Sequence, residues 1–488
     1  MNFRSFQSYH AIILLTITFV GLFGGFVIDG FVDIDSQAFQ AIAFHLQQGK
    51  ILYTDVWDAK PPGIYHLNKL AFLFMGASQF TTWMLQAVIG VIQCLLVYDI
   101  LKRLTRNTLT AWCGSLLYMK LAYFSSLYQG GNFTEEYANL FLVLGIFFLT
   151  RFQDKPVNGW FLGMGLASFS MCPMFNEPYL ITILPWLIYG LWLLKLAKTK
   201  KKRIIVVSVA FLPLALFLSY LILENSLTQF IAHLSYNAAY ASDLRVPFMD
   251  RVQQNLSFFA TQLDASALPL YVIIVITAFI VWWKFHPPVL IKLAIIQLPL
   301  SLLTVSMSGY QFQHYFLEWL PPLVLIITFS WDVFFRKAIN HTWSTSLLPA
   351  ITLALFIFIP WRSTEPDKIR FVDTETYLKN HRTHSSSLYI QPVEHTDLYM
   401  ATGLCSNQTI PISFFSYFMV NDPGSANRIE SFVTSFYTQP PTYILTSEAS
   451  GMLNKHLELA HWFNRHYVLI HRETRNSQTL NLFQFHEN

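Results

Sequence analysis

The sequence has few charged residues for its length. Only 12% of its 488 residues are Asp, Glu, Lys or Arg, whereas 53% are hydrophobic. Soluble domains usually carry about 25% charged residues, so this balance excludes an ordinary water-soluble protein. A mean hydropathy of +0.40 agrees with that conclusion. The composition therefore predicts an integral membrane protein whose first partner is the lipid bilayer.

Cysteine is also scarce, and its placement excludes two further classes of site. Cys94, Cys113 and Cys172 fall in or beside apolar segments, and Cys405 lies far along the chain. This spacing matches neither a metal-binding motif nor a disulfide framework. Basic residues form no nucleic-acid-binding patch either, because they occur in short clusters beside apolar runs. We expect no nucleic-acid partner.

Apolar runs long enough to cross a bilayer recur along the chain. A membrane-spanning helix needs about 20 apolar residues, and this criterion predicts about eleven spans. They begin near residues 9, 80, 108, 134, 158, 178, 204, 265, 289, 313 and 344. The first run lacks a convincing small-x-small cleavage site, so we expect a retained helix whose N-terminus is cytoplasmic.

Basic residues alternate between the two sides of these predicted spans. Loops rich in Lys and Arg occur near residues 102–106, 151–155, 195–203, 284–292 and 336–337. The opposite turns, near residues 130–132, 173–178 and 308–313, contain neither. The positive-inside rule places the basic loops in the cytoplasm. We therefore predict a multi-pass plasma (inner) membrane protein whose last span exits on the outer side.

This topology divides the chain into two predicted domains. Residues 1–361 form an all-α polytopic membrane domain that includes two long outside loops, 29–80 and 224–265. Residues 362–488 are more polar and form a small extracytoplasmic α/β domain. Its β-rich runs are near residues 387–391, 442–446, 467–471 and 480–485, and its helical stretches are near 374–381 and 452–465. The sequence of this domain contains no phosphate loop, nucleophile elbow or repeat, so we expect no catalytic role for it.

The first outside loop has helical periodicity. Apolar residues recur at helical spacing behind Asp35 and Ser36, which predicts an amphipathic helix capped by these two residues. Residues 64–75 repeat the pattern after a Pro-Pro-Gly sequence. We expect both helices to lie in the plane of the membrane interface.

The same loop concentrates acidic residues around one lysine. Asp33, Asp35 and Asp58 lie close to a membrane surface, where mutual repulsion and lost solvation raise the pKa of a carboxyl group. Such a group can accept a proton near neutral pH. Lys60 precedes two prolines, which present its cation rigidly to a leaving phosphate. Alternatively, the acids cap interfacial helices and Lys60 neutralises them, and spacing alone leaves both interpretations open.

In these features the chain resembles the GT-C glycosyltransferases related to protein O-mannosyltransferases and to the lipid A aminoarabinose transferases. The resemblance rests on an acidic residue opening a helix, the Asp-Ala-Lys-Pro-Pro element at 58–62, and the stretch 314–322. It covers the membrane portion, about three quarters of the chain. It implies transfer of a sugar from a polyprenyl-phosphate carrier to an acceptor hydroxyl at the outer face. The acceptor (glycan, lipid or protein) stays open, and so does a requirement for a divalent metal ion.

The resemblance also implies roles for individual residues. Asp35 aligns with the presumed catalytic base of the family, and Lys60 matches the lysine thought to meet the lipid phosphate. The family usually has a second acid directly after the first, whereas this chain has Ser36 there and Asp33 two residues earlier. Asp33 and Asp35 therefore both stay candidates for the base.

Two arginines in the second long loop are further candidates for binding the donor phosphate. Arg245 and Arg251 lie close to Asp243 and Asp250. Each arginine can neutralise a phosphate, or it can form a surface ion pair with one of these aspartates.

Polar residues at the outer ends of the predicted spans are candidates for lining a substrate cavity. They are Asp58, Glu135, Glu177, His314, Tyr315 and Glu318. Glu135 follows Thr134 in a normal helix-start sequence, so it either belongs to the helix start or faces the cavity. His314 and Glu318 are four residues apart, which on an α-helix predicts a hydrogen-bonded pair near the substrate or two ligands of a metal ion.

Two other classes of function compete with glycosyl transfer. A transporter or flippase of lipid-linked sugars would place its coupling charges near the bilayer midplane and would show internal repeats. Here most acids fall at the outer rim, and the sequence shows no repeat. A non-enzymatic assembly partner would leave the first-loop carboxylates dispensable.

Overall fold

The computed structural model describes residues 33–154, 159–196, 199–242, 246–262, 287–307, 311–338, 370–408, 410, 425–447 and 457–486. Over these residues the fold is mostly helical and includes one four-stranded sheet, as the sequence predicts. The predicted spans that begin near residues 9, 265 and 344 lie outside the described residues.

The described residues contain seventeen α-helices. In chain order they are α1 Ile34–Gln47, α2 Gly63–Met75, α3 Gln79–Thr105, α4 Thr108–Tyr123, α5 Thr134–Asp154, α6 Gly159–Met171, α7 Tyr179–Thr182, α8 Leu184–Leu193, α9 Lys200–Leu223, α10 Leu227–Ser242, α11 Phe248–Gln262, α12 Val289–Val305, α13 Leu320–Ala338, α14 Val372–His381, α15 Asp397–Thr402, α16 Ser425–Thr438 and α17 Leu457–His466. Short 3₁₀ helices cover Ser126–Tyr128, Cys172–Met174, Leu194–Leu196, Gln313–Trp319 and Val393–His395.

The chain forms two compact units. The first contains the described residues within Gln86–Phe217 and Arg245–Glu365. The second contains those within Gly30–Leu85, Leu218–Leu244 and Pro366–Asn488. In the second unit, the first outside loop therefore folds together with the C-terminal region.

Three helices of the described residues are long and apolar enough to cross a membrane. They cover Gln79–Thr105, Lys200–Leu223 and Gln313–Phe334, and the last combines a 3₁₀ helix with α13. They correspond to the spans predicted near residues 80, 204 and 313. Leu212, Leu216 and Ile222 on α9 are each more than half exposed, which suits contact with lipid. The total of about eleven spans stays a prediction.

The predicted small α/β domain contains the sheet. Its strands are β1 Leu388–Ile390, β2 Tyr443–Ser447, β3 Tyr467–Arg475 and β4 Gln478–Phe485, in the order β1-β2-β4-β3. β1 pairs with β2 in parallel, and the other two pairings are antiparallel. Asn476 and Ser477 join β3 to β4 with φ angles of 45° and 64°, the backbone that a two-residue type I′ hairpin requires. All four predicted strands are present.

Helix α1 is buried on every side. Each residue from Ser36 to Leu46 is buried, because α1 packs between α2 on one side and α15 with the 3₁₀ helix Val393–His395 on the other. A helix lying in the membrane interface would leave one face to lipid or water. The prediction of an amphipathic α1 with one face exposed is therefore wrong, because the distant C-terminal region covers the side that α2 leaves open. Its position relative to the membrane interface stays a prediction.

Helix α2 does keep an exposed apolar surface. Ile64, Tyr65, Asn68 and Phe72 recur every three or four residues and are buried. Leu70, Leu73, Phe74 and Met75 are instead between 50% and 80% exposed. Such a surface costs free energy in water and suits the membrane interface. The interfacial position predicted for this helix stays a proposal.

His45 joins α1 to the C-terminal region within the second unit. Its Nδ1–H donates to the carbonyl of Ala41 at 2.7 Å, and its Nε2 accepts from the amide of Ser406 at 2.8 Å. The ring of Tyr399 packs against it at 4.7 Å between centroids. This arrangement requires the neutral imidazole, and burial lowers the pKa of His45 to about 4.

The stability of this contact should depend on pH. Because the pKa of His45 falls from 6.5 to about 4 on folding, the unfolded chain takes up this proton first as the pH decreases. The fold is therefore on the order of 3 kcal/mol less stable below the folded pKa than above the unfolded pKa, and this loss builds up as the pH falls from the unfolded to the folded value. We expect the wild-type melting temperature in detergent to fall more steeply between about pH 7 and pH 4 than that of His45→Gln, whose amide does not titrate. His381→Gln, at an exposed position on α14, is the control. Equal slopes for wild type and His45→Gln would contradict the assignment.

Candidate active site

The start of α1 positions Asp35 in its first turn. Asp33 is the N-cap, and its Oδ1 accepts a hydrogen bond from the amide of Asp35 at 2.9 Å. A free amide at a helix start needs such an acceptor. The prediction that Asp35 and Ser36 cap the helix is therefore wrong. The hydroxyl of Ser36 is buried and accepts from Gln40 Nε2 at 3.2 Å.

A compact loop between α1 and α2 positions Lys60. Asp55 Oδ2 accepts from the amide of Ile51 at 2.8 Å, and the amide of Tyr53 donates to the carbonyl of Val56 at 2.7 Å. Tyr53 has a φ of +65°, a left-handed conformation that a non-glycine residue adopts only when its surroundings hold it there. Its hydroxyl donates to the carbonyl of Lys60 at 2.8 Å. The backbone at Lys60 is thereby tied to the loop.

Helix α10, in the same unit, covers this loop with aromatic rings. The rings of Phe230 and His233 lie 5.8 Å and 4.9 Å from that of Tyr53. The ring of Tyr236 meets Trp57 edge to face at 5.1 Å. Part of the second long loop, residues 227–242, therefore packs on the first loop and excludes water from it.

Asp58 is buried at the centre of this loop. It is 1% exposed, and its Oδ2 accepts from the hydroxyl of Tyr65 at 2.5 Å while its Oδ1 accepts from the amide of Ala59 at 2.7 Å. Burial raises the pKa of Asp58 to about 6, and the two hydrogen bonds and the charge of Lys60 act in the opposite direction. Tyr65 is fully buried, and burial together with the Asp58 charge keeps its own pKa well above the usual value. The Tyr65 hydroxyl therefore stays neutral and donates a hydrogen bond.

The charges of Asp35, Asp58 and Lys60 act on one another. Burial raises the pKa of Asp35, and Lys60 opposes this rise. Lys60 acts in the same sense on Asp58, whose pKa the charge of Asp35 raises. The three residues form one cluster, which we call the first-loop cluster. In it Asp58 supplies a second acid near Asp35, although Ser36 occupies the next position in sequence. The cluster combines a proton acceptor with a neighbouring cation.

Glu135 lies in a buried hydrogen-bond network of the first unit. It is 2% exposed, and its carboxylate accepts from Asn176 Nδ2 at 2.7 Å and from the hydroxyl of Thr134 at 3.0 Å. Helix α5 begins at Thr134, as predicted. The hydroxyl of Tyr179 donates to the carbonyl of Glu135 at 3.2 Å. Glu177, beside Asn176, is only partly buried.

His314 and Glu318 do not pair with each other. Their segment is a 3₁₀ helix with three residues per turn, so residues four apart are roughly 120° apart around the axis. The amide and Nδ1 of His314 lie 3.1 Å and 2.8 Å from Gln129 Oε1. Glu318 instead accepts from the hydroxyls of Thr182 and Thr304. The predicted pair is therefore wrong, because the prediction assumed α-helical geometry.

Aromatic rings surround His314 in the first unit. Phe133 stacks on its ring at 4.0 Å, and Tyr315 meets it edge to face at 4.9 Å. Tyr315 is partly buried. These contacts hold the imidazole as part of the packing.

The structure describes only one of the two candidate arginines. Arg245 and Asp243 lie outside the described residues. Arg251 belongs to the first unit, where its Nη1 donates to the carbonyl of Met307 at 2.7 Å and its guanidinium lies 5.4 Å from the ring of Phe248. Among the described residues, no ion pair joins Arg251 to Asp250. The structure thus brings Asp35, Asp58 and Lys60 together in one unit and holds Arg251 in the other.

The candidate metal ligands of the described residues are scattered. No set of three or more His, Cys, Asp or Glu side chains among the residues described is arranged to hold a metal ion. Asp33 uses one carboxylate oxygen as the helix cap, and His314 and Glu318 bind different partners. The predicted His314–Glu318 pair therefore has no third ligand among the described residues.

Sequence reasoning missed the tyrosines of the site. Tyr65 follows Asp58 by seven residues, with Pro61 and Pro62 between them, and Tyr53 precedes Lys60 by seven. Residues 51–60 are not helical, so a helical period does not relate these positions. Only the helical spacing of Tyr65 with Asn68 and Phe72 marked it, as a residue of the buried face of α2.

Comparison with known proteins gives one family match. Residues 59–223 match the family described as dolichyl-phosphate-mannose-protein mannosyltransferase. The matched range begins just before Lys60 and does not reach Asp35. None of the curated proteins compared with the chain matches it in sequence.

Comparison of folds extends over nearly the whole chain. ArnT from Cupriavidus metallidurans bound to undecaprenyl phosphate matches with a TM-score of 0.63 and 13% identity, covering 99% of this chain and 98% of that one. Its apo state matches with a TM-score of 0.59 and 12% identity, covering 98% of both chains. The oligosaccharyltransferase AglB from Archaeoglobus fulgidus, in complex with an inhibitory peptide and a dolichol-phosphate, matches with a TM-score of 0.50 and 9% identity, covering 98% of this chain and 74% of that one. These likenesses confirm the predicted GT-C fold, which the chain shares with ArnT and AglB. The family match adds a similarity to the mannosyltransferases over residues 59–223.

The hydrogen bond between Tyr65 and Asp58 should stabilise the ionised carboxylate. Tyr65→Phe removes the donor from a buried acceptor, so we expect a loss of roughly 1–3 kcal/mol in the free energy of unfolding. The loss should be larger at pH 8 than at pH 5, because the Asp58 pKa of about 6 makes it charged at the higher pH. Melting temperatures in detergent at both pH values measure this, with the exposed Tyr437→Phe as control. An equal loss at both pH values would argue against an ionised Asp58 as the partner.

Proposed function

We propose that the chain is a membrane glycosyltransferase that moves a sugar from a polyprenyl-phosphate carrier to an acceptor hydroxyl at the outer face. The observation that carries this proposal is the first-loop cluster, in which Lys60 acts on two carboxyl groups with raised pKa values. The family match at 59–223 and the ArnT-like fold support it. ArnT with undecaprenyl phosphate and AglB with dolichol-phosphate support a lipid-linked donor.

Asp35 is our candidate for the catalytic base. Displacement of a phosphate from the anomeric carbon in one step inverts the configuration, and it needs one carboxylate to take the acceptor proton on the opposite face. The raised pKa of Asp35 suits this role, because the group then holds a proton more tightly once it has accepted it. Asp33 is less suited, since its Oδ1 already accepts the Asp35 amide.

Lys60 is our candidate for the partner of the leaving phosphate. The departing polyprenyl phosphate has a low proton affinity, so a neighbouring cation stabilises it more than an acid would. The hydrogen bond from Tyr53 to the Lys60 carbonyl and the interaction with Asp58 hold the residue in place before the donor arrives. Arg251, with one nitrogen on the Met307 carbonyl, is second choice, and Arg245 follows it.

Asp58 acts through its neighbours in this scheme. Its carboxyl group is buried and bonded to Tyr65 and to a backbone amide, so it has no open side for an acceptor hydroxyl. Its charge orients Lys60 and, by repulsion, favours protonation of Asp35. We therefore propose a positioning role for Asp58.

The proposed function also includes a topology of the chain in the membrane. We propose that residues 1–361 form the transmembrane domain, that the N-terminus is cytoplasmic, and that residues 362–488 are extracytoplasmic in the plasma (inner) membrane. The exposed apolar side of α2, including Leu73 and Phe74, would then lie at the outer interface, where the carrier phosphate is located.

The role of Asp35 can be tested with a matched pair of variants. Asp35→Asn removes the proton acceptor with little change in shape, and we expect transfer of labelled sugar to fall by about 10³-fold or more. Asp33→Asn is the control, because asparagine caps a helix as well as aspartate does and should leave transfer near the wild-type rate. Loss of transfer in Asp33→Asn alone would show that the base is Asp33. Full transfer by both variants would contradict a role of either aspartate as the base, whereas no transfer by the wild type would favour a transporter.

The role of Lys60 predicts a selective effect on the donor. Lys60→Ala should lower kcat/KM for the polyprenyl-phosphate sugar by roughly 10- to 100-fold, the cost of one charge-assisted contact, with a smaller effect on the acceptor KM. Lys60→Arg should restore part of the loss. Lys69→Ala, at another lysine of the same loop region, serves as control. Equal effects on donor and acceptor would count against contact with the phosphate.

A further inference from the structure

A polar groove lies along α11 in the first unit. Its volume is about 500 Å³, which falls within the range of small-molecule sites. The residues that line it are Asp250, Gln253, Gln254, Ser257, Phe258 and Gln311. None of these residues belongs to the first-loop cluster.

One face of α11 provides most of the groove. Its five lining residues on α11 fall at positions 250, 253, 254, 257 and 258. Spacings of three and four residues place side chains on the same side of an α-helix. Gln311 completes the groove, and its Nε2 donates to Gln254 Oε1 at 3.4 Å.

A neighbouring face of α11 holds the helix in this orientation. Asn255 Nδ2 donates to Ser306 Oγ at 3.3 Å, and Arg251 Nη1 donates to the carbonyl of Met307 at 2.7 Å. Both contacts reach residues directly after α12. They keep the guanidinium of Arg251 away from the groove and leave the amide face of α11 open. Gln253, Gln254 and Ser257 are all exposed.

The chemistry of the groove matches uncharged sugar. Glutamine amides both donate and accept hydrogen bonds, as sugar hydroxyls do, and the Asp250 carboxylate accepts from hydroxyls. Phe258 is half-buried and offers a ring to the apolar face of a pyranose. None of the described lining residues is Lys or Arg, and Asp250 repels anions. A phosphorylated ligand is therefore disfavoured, and so is a peptide, which is usually bound through strand pairing or apolar pockets.

We propose that this groove binds a neutral oligosaccharide, the acceptor glycan of the transfer reaction. The acceptor role rests on the proposed function, whereas binding of neutral sugar does not. The groove thereby assigns the acceptor to the glycan class and places its recognition on α11 and Gln311.

A direct binding experiment tests whether the groove binds a neutral oligosaccharide. Full-length protein in detergent is titrated with neutral tetrasaccharides of hexose or N-acetylhexosamine, with a phosphorylated tetrasaccharide, and with an uncharged peptide of similar mass. We expect a neutral tetrasaccharide to bind the wild type. The double variant Gln254→Ala/Gln311→Ala should bind it about tenfold more weakly or worse, as expected for loss of two hydrogen-bonding amides. Met249→Ala, exposed on the same helix, and Gln478→Ala, exposed on β4, should bind as the wild type does.

Several results would overturn the proposal. These are the absence of binding by any neutral tetrasaccharide at millimolar concentration, unchanged affinity in the double variant, or tighter binding of the phosphorylated sugar or the peptide. Kinetics then test the acceptor role, since the double variant should raise the acceptor KM about tenfold with donor KM and kcat nearly unchanged. Reduced binding with an unchanged acceptor KM would contradict that role. Full transfer by Asp35→Asn would instead defeat the proposed base and leave the groove standing.

Discussion

Burial of the Asp58 carboxyl group is the constraint on which the first outside loop depends. Removing a carboxylate from water costs free energy unless polar partners replace the lost solvation. Tyr65 and a backbone amide supply these partners, and Lys60 supplies an opposing charge. The loop can meet this requirement only because α2 begins directly after the two prolines and places Tyr65 over Asp58. The residues that fold the loop are therefore those that determine the electrostatics around Asp35.

The burial of α1 extends this dependence to the C-terminal region. His45 accepts a hydrogen bond from Ser406 across 361 positions of sequence, and the neighbouring segment covers the outer side of the helix. A base acts best when it is preorganised, because the reaction then pays no cost of rearrangement. The C-terminal region, which has no recognisable catalytic motif, contributes by holding the helix whose first turn presents Asp35. We propose that this region supports the helix in the reaction.

Whether the sequence predicts a feature depends on how far apart in sequence the interacting residues are. The strands of the C-terminal sheet were predictable because β-rich runs are a local signal. Asp35 and Lys60 became candidates because their motif is local too, and their roles stay a proposal. The His314–Glu318 pair failed because a 3₁₀ helix replaces the assumed α-helical period. The burial of α1 could not be predicted, since the partner of His45 lies hundreds of residues away. Several acidic residues also lie close together at the start of α1, and the sequence does not indicate which of them caps the helix.

The proposed mechanism is a single displacement with one carboxylate base. Such a mechanism inverts the anomeric configuration, whereas a covalent intermediate on a second carboxylate would retain it. The most direct measurement is the anomeric configuration of the product, determined by NMR after transfer from a polyprenyl-phosphate sugar of known configuration. The account predicts complete inversion. Retention would contradict it, because two displacements would then be needed and Asp35 could not act only as a base.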